Sequence, residues 1–157
     1  IRLARIELGD SDLDSAQERV DNVLALTLRE ALHEPASEAM ELGGDIAFRR
    51  EDPALAIDAY ERTIRYIDET GFVVTRHRVT VKLANLLLDQ DELIKVEPLI
   101  GNLIEGGESA SALRVRARYA HLQGDADRAA ELMESLRSTF ADDWTEADAN
   151  ALDRYRN

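Results

Sequence analysis

The stretch "GGDIAFRREDPALAIDAYERTI", residues 43–64, decides the fold, because its layout returns at 117–136 as "ARYAHLQGDADRAAELMESL". Each copy runs from a small residue through a polar break to an Ala with a large residue four places on, Ala56/Tyr60 and Ala129/Met133. Two further stretches fall into line. "SAQERVDNVL" supplies Ala16 and Val20, and "KVEPLIGNLI" supplies Val96 and Ile100. Upstream of these pairs stand the small residues Ala4, Gly44, Ala84 and Ala117, and downstream stand Val23, Thr63, Leu103 and Leu136. The breaks are "GDSD", "REDP", "DQDE" and "QGDA".

Each unit therefore reads as a helix, a tight turn and a second, antiparallel helix. Small side chains let two backbones approach, and the larger residue one turn later fills the space beside them. Asp12, Asp52, Asp91 and Asp125 stand where the N-cap of a second helix is expected. Pro53, directly after Asp52, suits a first helical position.

With Gly44, Ala47, Ala56 and Tyr60 in its places, the pattern resembles the tetratricopeptide repeat, and the resemblance runs over almost the whole chain. It departs from the family at Ala47, where an aromatic is expected, and at Val96, which replaces an Ala. The resemblance implies an all-α chain of tandem helix-turn-helix repeats, stacked as a right-handed α-solenoid whose first arms line a concave face. It also implies a non-enzymatic scaffold for protein–protein contacts. Among bacterial settings, an envelope or exopolysaccharide-export assembly is favoured by analogy. The alternative is a regulatory domain that senses a ligand or peptide.

The expected boundaries form one superhelical domain over 1–157. Helix pairs are placed at 1–26, 35–68, 74–105 and 109–140, with a terminal helix over 145–156 capped near Asp143 or Thr145. A less regular stretch is expected to about residue 34. The opening "IRLARIEL" reads as the inside of a helix, so the sequence is taken as a piece excised from a longer protein.

Composition narrows the chemistry. Ala and Leu dominate and aromatic content is 5%, which suits helices packed on small residues. No cysteine is present, which removes disulfides, thiolate zinc sites and thiol catalysis and leaves periplasm and cytoplasm both open. No segment carries about 18 uninterrupted apolar residues, so no membrane insertion is expected. The net charge of −13 argues against nucleic acid as a partner.

Several constellations bear on chemistry. Asp10, Asp12, Asp14 and Asp21 fall at calcium-loop offsets, but Ser15 sits where the sharp turn needs Gly, and acids favoured by a helix N-terminus explain the run. His33, His77 and His121 occupy unrelated places in their units, so no shared metal site is expected. "ELGGD" and "EGGE" lack the Lys–Ser/Thr of a phosphate loop. Trp144 is expected to pack the last connector. No catalytic residue and no cofactor are expected.

Charge distribution is more informative. Residues 70–88 hold no acid and carry Arg76, Arg78 and Lys82; residues 109–124 hold no acid and carry Arg114, Arg116 and Arg118. Helical spacing places Arg78, Lys82 and Asn85 on one face, and Arg114, Arg118 and His121 on another. This row is the candidate partner site. It would accept an acidic peptide, a carboxylate terminus or an anionic polymer; the plainer reading is that it neutralises neighbouring acidic helices. Arg78 and Lys82 also look like the basic pair with which some tetratricopeptide domains clamp a carboxylate terminus. Arg5 and Leu42 stand where that clamp needs Asn, which argues against it.

Overall fold

The computed structural model describes residues 13–71 and 75–156. Among them it contains helices and no strand: α1 Leu13–Arg29, α2 His33–Arg49, α3 Pro53–Thr70, α4 Arg76–Asp89, α5 Leu93–Glu105, α6 Ala110–Leu122, α7 Ala126–Thr139 and α8 Glu146–Arg156. A 3-10 turn, Ala141–Asp143, precedes α8. The expected helix over 1–9, its Ala4 and the cap Asp12 lie outside the described residues, as do Arg5 and Asp10.

One joint recurs four times. After α1, α2, α4 and α6 the chain places a single residue at positive φ: Ala31 (53°), Glu51 (58°), Asp91 (57°) and Gly124 (85°). The next residue donates its backbone N–H five residues back. Leu32 bonds the Thr27 carbonyl (2.8 Å), Asp52 that of Ala47 (3.1 Å), Glu92 that of Leu87 (2.9 Å) and Asp125 that of Ala120 (2.9 Å). This Schellman arrangement satisfies carbonyls left open at a helix end. The same donor residue is also the N-cap of the following helix. Asp52 and Asp125 cap with their side chains, accepting from the N–H of Leu55 and of Arg128 at 3.0 Å. The third cap is Glu92 rather than Asp91, and it makes no side-chain cap bond. Asp91 is instead the residue that turns the chain. α1 likewise runs on to Arg29 and enters this joint, where an irregular stretch was expected. "LTLR" at 26–29 holds no helix breaker, and only three residues separate α1 from α2.

The residues that set the alignment hold equivalent places. Ala16, Ala56, Val96 and Ala129 are each the fourth residue of their helix, α1, α3, α5 and α7, and all four are buried. Gly44 shows why a small residue is needed upstream. A Cβ there would lie 2.5 Å from Tyr60 Cε1. Tyr60 itself is buried and donates to Asp45 Oδ1 at 2.8 Å, so the ring has no easy way out. Burial and that bond hold the phenol proton well above its ordinary range.

Cα packing divides the chain into two units, 1–79 and 80–157, the division falling within α4. In the first unit α2 packs against both α1 and α3. Ala16 and Val20 of α1 meet Ala39 and Ile46 of α2, with Leu13, Val23, Leu24 and Leu42 at the edge. In the second unit α6 packs against α5 and α7, and α7 against α8. Its core holds Leu113 and Ala117 of α6, Met133 and Leu136 of α7, and Leu152 and Tyr155 of α8. Trp144 and Phe140, from the connector before α8, pack against this core.

Candidate functional site

The two arginines that open the expected row are built into the packing of their own units. Glu41 of α2 has a side chain only 5% exposed, and Arg78 grips it through Nε at 2.8 and 3.0 Å from its two carboxylate oxygens. This bond raises the Arg78 pKa further, against the opposing cost of burial. Arg114 of α6 holds Asp148 of α8 in the same way, Nε and Nη2 each 2.8 Å from a carboxylate oxygen. It also donates to the backbone carbonyl of Asp143.

Asp148 is the hub of the second grip. It accepts from both the backbone N–H and the hydroxyl of Thr145 at 2.8 Å, while its own N–H donates to Thr145 Oγ1 at 3.2 Å. This reciprocal capping box starts α8. The Arg114 bond outweighs burial, and with the Thr145 bonds it pulls the Asp148 carboxyl down to about 2.

Arg118 pairs with Asp89, at the end of α4, at 2.7 Å. His121 lies exposed at the end of α6 with its ring 4.6 Å from that of Tyr155. Lys82 and Asn85 are half-buried on α4. Arg78, Arg114 and Arg118 therefore each bond a carboxylate on another helix, and any incoming anion must compete with Glu41, Asp148 or Asp89.

Other candidate groups are also accounted for. Asp14 pairs with Arg50, and Asp21 accepts from Gln17 at 2.8 Å. His33 Nδ1 lies 2.9 Å from the Tyr66 hydroxyl. Among the described residues no group of three or more His, Asp or Glu is placed to hold a metal ion, and no helix is long and apolar enough to cross a membrane.

Each unit has an open cleft where three consecutive helices meet. In the first unit it measures about 360 Å³, with Val20 and Leu24 of α1, Met40 and Gly43 of α2, and Leu55 and Ala59 of α3 in its lining. Asp21, Arg50 and Arg62 also line it. In the second unit it measures about 310 Å³, between Ile100 and Ile104 of α5, Arg116, Tyr119 and Ala120 of α6, and Arg128 and Leu132 of α7. Arg116 belongs to the same basic segment but not to the expected row, since it stands two residues from Arg114 and so on another face. The signal was present in the spacing Arg116, Tyr119, Ala120, Gln123, which is one helical face of its own.

No protein-family model matches this chain, and no curated protein is similar to it at a significant level.

Proposed function

We propose that this chain is a non-enzymatic scaffold for protein–protein contacts, built of tetratricopeptide-like helical hairpins. The observation that carries the reading is the pair of open clefts. Each is lined by aliphatic side chains one helical turn apart, Val20 and Leu24 in one, Ile100 and Ile104 in the other. Leu55 and Ile104 are 46% and 54% exposed at these clefts, although their helices have cores of their own. Aliphatic side chains gathered in open grooves on packed helices are the usual ground for holding a peptide segment. The repeated joint supports the same reading, since a series of hairpins offers similar grooves one after another. A bacterial envelope or exopolysaccharide-export assembly is the setting proposed, by analogy.

Photo-crosslinking tests it. A photoreactive residue placed at Leu55 or at Ile104, in cells of the source organism, is expected to give a discrete protein adduct. Exposed control positions Glu61 and Asp127 should not. Adducts that are equal at all four positions, or absent at all four, would overturn the proposal.

A further inference from the structure

A single stripe fastens α8 to its unit. The helix has eleven residues, and its buried ones are Asp148, Leu152 and Tyr155, spaced four and three apart. Ala151 packs beside them. One member of the stripe is an acid, so little apolar surface holds the helix in place. Its backbone lies on α7. From α6 it is reached by Arg114, which bonds both Asp148 oxygens at 2.8 Å, and by His121, whose ring stands 4.6 Å from that of Tyr155. At the other end Arg156 pairs with Glu134 of α7.

The surface under α8 therefore selects both the occupant and its direction. A base on α6 marks one end and an acid on α7 the other, so the docked helix must begin with an acid and end with a base. Between them its leucine and tyrosine enter the core made by Leu113 and Ala117 of α6 with Met133 and Leu136 of α7. The series Asp148, Leu152, Tyr155, Arg156 occurs once in the sequence, and a second copy of the chain carries it in the same order. What favours a chain's own α8 is the short connector 140–145, which keeps it at high local concentration. Phe140 and Trp144 in that connector are only partly buried, so a hinge there leaves the core itself in place.

We propose that the surface of α6 and α7 under α8 is an exchangeable docking site, filled by the chain's own α8 or by the α8 of a second copy, so that two chains join by reciprocal exchange of this helix. The inference goes beyond the scaffold reading and does not depend on it, because it uses neither cleft.

Charge reversal tests it on the full chain. In Arg114→Glu the chain's own Asp148 faces an acid, and in Asp148→Arg the chain's own Arg114 faces a base. Exchange between the two variants brings opposite charges together at both sites, whereas exchange within either variant repeats the repulsion. Each variant alone is expected to run as a monomer in size-exclusion chromatography with light scattering, and the mixture to give a one-to-one dimer. A mixture that stays monomeric would overturn the proposal, as would dimers formed equally by one variant alone. A second measurement covers loss of folding in the reversed chains. A labelled peptide of residues 140–156 is titrated by fluorescence anisotropy against full-length Asp148→Asn, whose own α8 has lost the Arg114 grip. It should bind about tenfold or more tightly than the same peptide carrying Asp148→Asn, and adding Arg114→Gln to the full chain should erase the difference. Equal affinity of the two peptides, or binding by neither, sinks the exchange.

Discussion

At Asp148 burial and pairing pull the carboxyl in opposite directions, and pairing wins. The side chain is 6% exposed, which taken alone would favour the neutral acid, but Arg114 and Thr145 bond the charged form. Its pKa in the folded chain is therefore depressed, to about 2 from an ordinary 3.8. A depressed carboxyl stabilises the fold fully above its unfolded value, and that contribution disappears as pH falls through the folded one. Acidifying from about pH 4 to about pH 2 should thus release α8 first, seen as early loss of amide protection over 146–156 in hydrogen exchange. Asp148→Asn should remove that step and cost about 2–3 kcal/mol at neutral pH, since the Arg114 charge loses its partner. Little of this was legible in advance. A cap at Asp143 or Thr145 was readable because a short polar side chain before a helical run announces itself locally, and the bonds fall to Thr145. The pairing of Arg114 with a residue 34 positions away leaves no local trace. The grip of Arg78 on Glu41, across 37 positions, is equally silent in spacing rules that work one helical turn at a time.

Among the elements, the joints show where local reading succeeds and where it slips. Asp52 and Asp125 were recognisable because a short carboxylate before a helix has one obvious task. At the third joint two acids stand in a row, "DE", and composition cannot say which turns and which caps. Backbone geometry decides it by giving Asp91 a φ of 57°. L-residues other than Gly adopt that region at a cost of roughly 1 kcal/mol, and the fourth joint avoids it with Gly124. Replacing Asp91 or Glu51 with Gly is therefore expected to stabilise the chain by about 0.5–1 kcal/mol, read as a higher midpoint in urea unfolding with an unchanged slope. α5 is the weak element by the same logic. Pro98 sits in its interior, where the ring removes one backbone bond, and Gly101 follows within a turn. Its small contribution of helix propensity leaves it dependent on Val96 and Leu103, both buried.

Taken whole, the chain carries 32 acids against 19 lysines and arginines. Several bases are drawn into pairs between helices, Arg78 with Glu41, Arg114 with Asp148 and Arg118 with Asp89, so much of the remaining surface is acidic and repels itself. Raising NaCl from about 10 mM to about 500 mM shortens the reach of that repulsion to a few ångströms. The melting temperature, followed by circular dichroism, should rise. A fall would mean that the screened pairs between helices matter more than the excess charge. Helical class, and the packing of neighbouring helices in sequence order, could be read from small residues repeating at fixed offsets. The surface could not, because which cation keeps a partner depends on what folding brings beside it. Arg114 and Arg118, both placed in the expected row, are engaged by Asp148 and Asp89.

The three-residue joints leave no slack. Foreign sequence spliced between Glu51 and Asp52 would part the N–H of Asp52 from the Ala47 carbonyl it must reach, and the hairpin would lose its closing bond together with its cap. The segment Gly106–Glu108 is different: it is exposed throughout, and it links α5 to a helix that starts on its own Ser109 cap. A reporter, an epitope or a new pair of chain ends belongs there, between Gly107 and Glu108, where lengthening the path costs at most the weak 3.8 Å pair of Glu108 with Arg116.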